Sequence, residues 1–424
     1  MLLRESRGIL ESVVEADTSG RGATTALAHH ALGNVINSLV EAYRDHCPAG
    51  SCADCVVGCL SVAACKGELT QACRHLEASV SITKRLQNQT GETEEVLIHW
   101  GDALASMMQL VMDESSMGRS TNDHLPPPGA VSEALELCSN ACSKYSEALD
   151  SDTSSGGSDT DVLRLKAGTV VKFLDWALPE VPQQTQSAGV AFPPESILFT
   201  GEQAVQVLLG LDENNIGGLL AKGDLCRLRA RVSMLSGASV EEEGTLREES
   251  VGWFARAVAG SPQDGEALMV AGEGLLEYGR RSMAVYAEVA LPTQAGYCSA
   301  APAPHVEGMR ISAVTKLKDA GDLLSCACSV DHSDTDAPYN AACAFALSGD
   351  VNSCVRAMTE YCRRLTLALT TGTPSSRGVS SSKREALKWS LREAGADADL
   401  ESVRGAGWFV DLLRTTDATL EGGP

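Results

Sequence analysis

The chain is poor in aromatic side chains: Phe, Tyr and Trp together make 4% of its 424 residues. Strands are enriched in aromatic and β-branched residues that pack on a pleated face, so this scarcity argues against a sheet protein. No apolar run approaches the roughly 20 residues that a membrane helix needs, so membrane insertion is not expected. Positive charge is scarce as well. Lys and Arg number 34 against 56 Asp and Glu, a formal net charge of −22. That balance disfavours nucleic acid and anionic membranes as partners. It serves solubility, and it would complement a basic protein. Residues 1–10 carry Arg4, Glu5 and Arg7 with no apolar core, and Glu11, Glu15 and Asp17 follow. Neither a secretory signal nor a transit peptide is expected from such a start. The expected compartment is the cytoplasm, with the nucleus as the alternative.

Small and aliphatic residues are plentiful, which suits helices that pack at close range. Apolar residues at helical spacing mark two helices in 1–46, with Leu2, Leu3, Ile9, Leu10 and Val13 as the stripe of the first. A hairpin is expected over 52–86, turning at Gly67-Glu68, with Ala72, Leu76 and Ser79 on one face. Further helices are expected at 96–112, 131–149, 162–178, 196–211, 216–236, 251–258, 266–278, 310–329, 337–346, 354–369 and 383–393. Polar segments separate them, among them an acidic insert at 237–249. The domain organisation expected is an N-terminal set of hairpins over 1–112, a linker over 113–130 and a repeat array over 131–424.

The strongest pattern is a recurring junction. Leu208 to Gly223, Ala257 to Gly272 and Ala327 to Ala342 each place a small residue fifteen positions after a small or apolar one, across a polar turn. Asp212-Glu213-Asn214-Asn215, Ser261-Pro262-Gln263-Asp264 and Asp331-His332-Ser333-Asp334 occupy the same offset before the next helix. The small residues Gly33, Gly101, Gly168, Gly223, Gly272 and Ala342 are separated by 68, 67, 55, 49 and 70 residues. The first, second and last intervals are close to twice ~34, the length of a two-helix repeat, and the others are one repeat plus an insert.

On these residues, above all Tyr339-Asn340-Ala341-Ala342-Cys343-Ala344-Phe345-Ala346-Leu347-Ser348-Gly349-Asp350, the chain resembles the tetratricopeptide repeat family. The match is best over 196–413, where Asp397–Leu400, Val403-Arg404 and Trp408 to Leu413 are similar to the segment that closes such arrays. Gly67 and Gly279 fill the turn slot of two other repeats. The resemblance implies an all-α fold, an α-solenoid of stacked helical hairpins forming a tetratricopeptide-like superhelix with long loop inserts. It also implies that the first helices line a concave groove. Lys172, Asp224, Arg227, Glu273, Glu277 and Asn340, near the small positions, would then face a partner protein or peptide.

Candidate chemistry is thin. Cys47, Cys52, Cys55, Cys59, Cys65 and Cys73 are the densest group among 15 cysteines. The pair Cys52-x-x-Cys55 has metal or redox spacing, but no matching second pair follows, and buried thiols are the simpler reading. Gly217-Gly218 to Lys222 lacks the order of a phosphate loop. The eight His are scattered. Asn34 and Asn340 stand without the Lys-x-x-x-Asn elements with which some members of the family clamp a carboxylate terminus. The function expected is a non-enzymatic interaction scaffold or adaptor, without cofactor or metal. The alternatives are an acidic escort for a basic client such as a ribosomal protein or histone, and a zinc or thiol protein built on Cys47–Cys73.

Overall fold

A computed structural model describes residues 2–16, 23–46, 62–86, 90–116, 126–151, 158–178, 195–294, 304–370 and 381–422. These form sixteen α-helices and one short 3-10 turn, and no strand occurs among the described residues. The chain divides into two compact units, 1–236 and 237–424.

In the first unit the helices are α1 (Leu2–Ala16), α2 (Ala23–His46), α3 (Val62–Leu86), α4 (Thr90–Ser116), α5 (Pro128–Ser151), α6 (Ser158–Ala177), α7 (Glu195–Leu211) and α8 (Ile216–Leu235). Each packs on its chain neighbour, and α2, α4, α6 and α8 also touch one another in sequence. Each hairpin therefore stacks on the next through its even-numbered helix, the arrangement of a helical repeat in which no hairpin buries its apolar stripe alone. One core spans α4 to α8 around Phe173, Val170, Leu208 and Leu225. Residues 113–130, read as a linker, include the end of α4 and the start of α5, which pack on each other.

In the second unit α9 (Val240–Gly260), α10 (Gly265–Gln294), α11 (Pro304–Val330), α12 (Asp336–Ser348) and α13 (Val351–Thr370) repeat the pattern, with α10 touching α12 as well as α11. The unit closes with α14 (Ser381–Ala396), the 3-10 turn Ala398–Leu400, α15 (Glu401–Arg404) and α16 (Gly407–Gly422). Phe409, Leu400, Val403 and Leu420 from this segment seal the core formed by α12 and α13.

All three junctions are helix–turn–helix, and each turn is locked in the same way. Asn215 accepts a hydrogen bond from Gly218 N at 2.9 Å. Asp264 accepts from Glu266 N at 2.9 Å and Ala267 N at 3.1 Å. Asp334 accepts from Asp336 N at 2.8 Å and Ala337 N at 3.3 Å. The equivalent side chain thus satisfies helix N-terminal donors that have no partner within the helix. Gly217-Gly218 lie in the first turn of α8, where Asn215 already occupies the Gly218 amide and a helix, α7, precedes in place of the strand of a phosphate loop. Gly349 ends α12 at φ +79°, a conformation that glycine adopts at no steric cost.

The small-residue ladder falls on consecutive even helices, from Gly33 on α2 to Ala342 on α12. A Cβ on Gly33 would lie 2.6 Å from Leu76 Cγ on α3, one on Gly272 would lie 2.6 Å from Leu324 Cγ on α11, and one on Gly101 would collide with the Tyr145 ring on α5. At these positions the first helix of a hairpin touches its second through bare backbone. Gly168 differs: a Cβ there would meet nothing within 4 Å.

Several expectations are corrected. Gly67 is no turn, because α3 runs unbroken from Val62 to Leu86 and the ion pairs of Lys66 to Glu114 at 2.9 Å and of Glu68 to Arg7 at 2.6 Å tie that turn of helix to its neighbours. Gly279 also lies within a continuous helix, where it admits Leu317 Cγ at 2.5 Å from the position of a Cβ. The acidic insert is helical from Val240 onward. Ser239 accepts from Glu242 N at 3.2 Å, and Glu241, Glu242 and Glu243 favour the positive end of the helix dipole. On α1 the partly buried Leu10 and Val14 pack on the core, whereas Ile9 and Val13 are exposed.

Gly272→Ala and Gly168→Ala should therefore move stability in opposite directions. Thermal denaturation should show Gly272→Ala losing about 1–3 kcal/mol through overpacking, and Gly168→Ala gaining about 0.5–1 kcal/mol through helix propensity.

Candidate functional site

The residues expected to face a partner divide between the units. In the first, Lys172 is exposed on α6 and joins no ion pair among the described residues. The structure brings Asp224 and Arg227 together on α8, where Arg227 pairs with Asp224 at 3.0 Å and with Asp175 of α6 at 2.9 Å. Asp175 also pairs with the buried Arg231 at 3.1 Å, and Arg231 donates to the Leu178 carbonyl at 3.0 Å. This network ties the end of α6 to α8. In the second unit Asn340 of α12 donates to Glu273 of α10 at 2.9 Å, at the surface.

Glu277 is a correction. It is 3% exposed and turned into the α9–α10 interface, so it presents nothing to a partner. Arg247 donates to it at 2.9 Å and to Glu243 at 3.0 Å, while Arg281 grips Glu243 through two nitrogens at 2.9 and 3.0 Å. Two carboxylates and two guanidiniums thus compensate each other inside the protein. Burial pushes the Glu243 carboxyl up, but the hydrogen bonds and charges of Arg281 and Arg247 outweigh it and hold the group below its ordinary value. Sequence pattern points to the surface for such charged residues, because burial with an exact partner leaves no periodic signature.

Among the described residues the first unit also carries an exposed apolar edge. Phe199, Val207 and Leu211 on α7 are each more than half exposed, at 56%, 53% and 57%. Positions four apart form a ridge along a helix, and these residues lie on one such row. Val207 and Leu211 flank a groove of about 540 Å³ between α5, α6 and α7, whose floor includes Leu149, Leu163 and Ala204. Asp150 and Asp159 stand on its rim, and Lys166 is drawn onto Ser146 by a 2.9 Å hydrogen bond. The sequence reading missed this site, although alternating Phe199, Val207 and Leu211 with buried Leu198, Val205 and Leu208 leaves α7 apolar on more than one face.

Cys47, Cys52, Cys55 and Cys59 lie outside the described residues. Of the same group, Cys65 is buried, and burial raises its thiol; burial pushes the Cys73 thiol up to about 11. Both are poor thiolates at neutral pH, as inert core cysteines are. The His residues are not all scattered. His29 of α2 meets His75 of α3 with Nδ1 atoms 2.8 Å apart, and His30 of α2 meets His99 of α4 at 2.8 Å between Nε2 and Nδ1. Burial lowers His29, His30 and His75 below the usual imidazole value.

No family model matches the chain, and no curated protein does. Solved structures align over most of its length at low identity. A circular tandem repeat protein of novel repeat topology is 11% identical, covering 99% of this chain and 88% of that one at a TM-score of 0.35. The nuclear import adaptor Nro1 of S. pombe is 11% identical, covering 90% and 98% at a TM-score of 0.41. An IFIT1 mutant with Gppp-AAAA is 11% identical, covering 99% and 93% at a TM-score of 0.25. Alignments this loose follow helices and carry no argument about site or partner. No helix among the described residues is long and apolar enough to cross a membrane.

Glu243→Gln should leave Arg247 and Arg281 buried without their shared anion and cost about 3–5 kcal/mol in denaturant unfolding. Because the folded pKa of Glu243 is depressed, its stabilisation is in place above the ordinary glutamate range and is lost as pH falls through the lowered value. The variant should therefore show a flatter acid limb than the parent as pH falls below the ordinary glutamate range.

Proposed function

We propose that the chain is a non-enzymatic protein-interaction scaffold built of divergent tetratricopeptide-type hairpins. Its docking site is the groove beside α7, and the occupant is an amphipathic segment of a partner protein with a basic flank. The observation that carries this reading is the exposed pair Val207 and Leu211 on a groove lined by Leu149, Leu163 and Ala204, with Phe199 exposed on the same row of α7. Exposed apolar surface that is continuous with a groove and rimmed by polar groups marks an interaction site. An amphipathic helix laid into such a groove buries its apolar face there. The charge of the occupant follows from the rim and from the chain. Asp150 and Asp159 border the groove, its one lysine is held by Ser146, and the chain as a whole carries −22. A basic flank is attracted to that field and an acidic one is repelled.

The reading places the protein with soluble adaptors of the cytoplasm or nucleus. The escort alternative, a purely electrostatic hold on a basic client, is favoured by the charge alone and leaves the apolar ridge unused. The two differ in salt dependence, since exposed charge contacts are screened and apolar burial is not.

A display library of helical peptides, some with basic and some with acidic flanks, tests the proposal against the purified full chain. Enrichment should favour amphipathic peptides with basic flanks, retained at high salt. Val207→Glu with Leu211→Glu should weaken the selected peptides by about tenfold or more without altering the circular dichroism. Enrichment of acidic peptides, or binding indifferent to both substitutions, would contradict it.

A further inference from the structure

We propose that α2 and α4 form a binding site for a divalent transition-metal cation, with His30, His99 and Glu95 as its protein ligands and Asn34 as a further oxygen donor. The ligand atoms of His30, Glu95 and His99 lie within 4.8 Å of one another. Residues four apart share a helix face, and each helix contributes such a pair: His30 with Asn34 on α2, Glu95 with His99 on α4. The helices cross directly, so the two pairs face each other as a four-donor cluster on the row of even helices.

Hydrogen-bond accounting favours a cation at that crossing. His30 Nε2 and His99 Nδ1 are 2.8 Å apart, and Asn34 Nδ2 lies 2.9 Å from the latter and 3.2 Å from the former. Between two neutral imidazoles, one N–H satisfies one lone pair. That leaves no acceptor for an Asn34 N–H directed at the same pair. A half-turn of the amide brings Oδ1 to that place, since its oxygen and nitrogen are assigned from their surroundings. A cation there would accept both imidazole lone pairs, the amide oxygen and the Glu95 carboxylate.

The donor set selects the ion class. Two imidazole nitrogens with a carboxylate suit zinc, nickel, copper or cobalt, whereas magnesium and calcium prefer oxygen alone. Access is open: Glu95 is exposed and the two His are half-buried, so an ion can enter and water can complete the coordination. The neighbouring pair His29–His75 lacks these properties. The carboxylate beside it, Glu11, is held by Arg7 at 2.8 Å, and the Arg7 charge opposes a cation there.

The test is a cobalt titration of the full chain after removal of metal by a chelator, read by optical absorption, with zinc as competitor. The wild type should bind one cobalt through nitrogen and oxygen, seen as d–d bands without a thiolate charge-transfer band, and zinc should displace it. His30→Gln, His99→Gln and Glu95→Gln should each weaken that binding by at least about tenfold, and His29→Gln should leave it unchanged. Glu95 is exposed, so its variant tests the site even if a substitution between the helices impairs folding. A spectrum dominated by thiolate coordination and indifferent to these substitutions would place the ion on cysteines and overturn the proposal. So would the absence of nitrogen- and oxygen-bound cobalt, which would make His30 and His99 a hydrogen-bonded pair only.

Discussion

Bare-backbone contact between the two helices of a hairpin, seen in α2–α3, α4–α5 and α10–α11, is the constraint on which their packing depends. Gly33 against Leu76, Gly101 against Tyr145 and Gly272 against Leu324 leave no room for a side chain on the first helix. The leucines and the tyrosine involved are almost wholly buried. Close approach at one point of each of these three hairpins sets the depth at which its two helices interlock. The next hairpin then covers the face that remains apolar. A chain with few aromatics can build a continuous core in this way, because it needs many short contacts at close range instead of a few large ones. Part of the aromatic bulk sits opposite a glycine: Tyr145 opposite Gly101, Phe254 opposite Gly274, and Phe345 of α12 opposite Gly321 of α11.

Charged residues inside this frame join elements without filling space. Arg231 reaches from α8 to the carbonyl of Leu178 at the end of α6. Arg364 does the equivalent in the second unit, reaching from α13 to the carbonyls of Cys328 and Asp331, at 2.7 and 2.8 Å, and to that of Asp334. Both satisfy acceptors at or beyond a helix end that have no partner within the helix. The cluster of Glu243, Arg247, Glu277 and Arg281 goes further and fixes α9 on α10 by mutual compensation. Removing one member leaves the others charged and desolvated, so the cost of breaking the cluster exceeds what the intact cluster adds.

The hairpins were legible in the sequence because their signals are local. A cap four residues after the last residue of α7, α9 and α11, and a small residue one or two turns into the next helix, both lie within a short window. Glycine was read less well, because a glycine that ends a helix and one that admits a neighbour look alike. Gly349 has the positive φ of a turn, while Gly279 is helical and filled by Leu317. The sites were largely illegible. Glu277 looks like a surface residue until Arg247, 30 positions earlier, is folded onto it. His30 and His99 are 69 residues apart, and only the stacking of α2 on α4 makes them neighbours. Asp224 and Arg227, three apart on one helix, were within reach of sequence reasoning, but Asp175, which recruits Arg227 into a network, was not.

Hydrogen exchange resolved by segment tests most directly whether each hairpin depends on its own close contact and its immediate neighbours. In a Gly33→Leu variant the added side chain must displace Leu76. Stacked hairpins coupled to nearest neighbours predict that protection falls in α2 and α3, less in α4 and α5, and is unchanged in α7 and α8. A uniform loss of protection throughout residues 1–236 would contradict this account and make the unit one indivisible core.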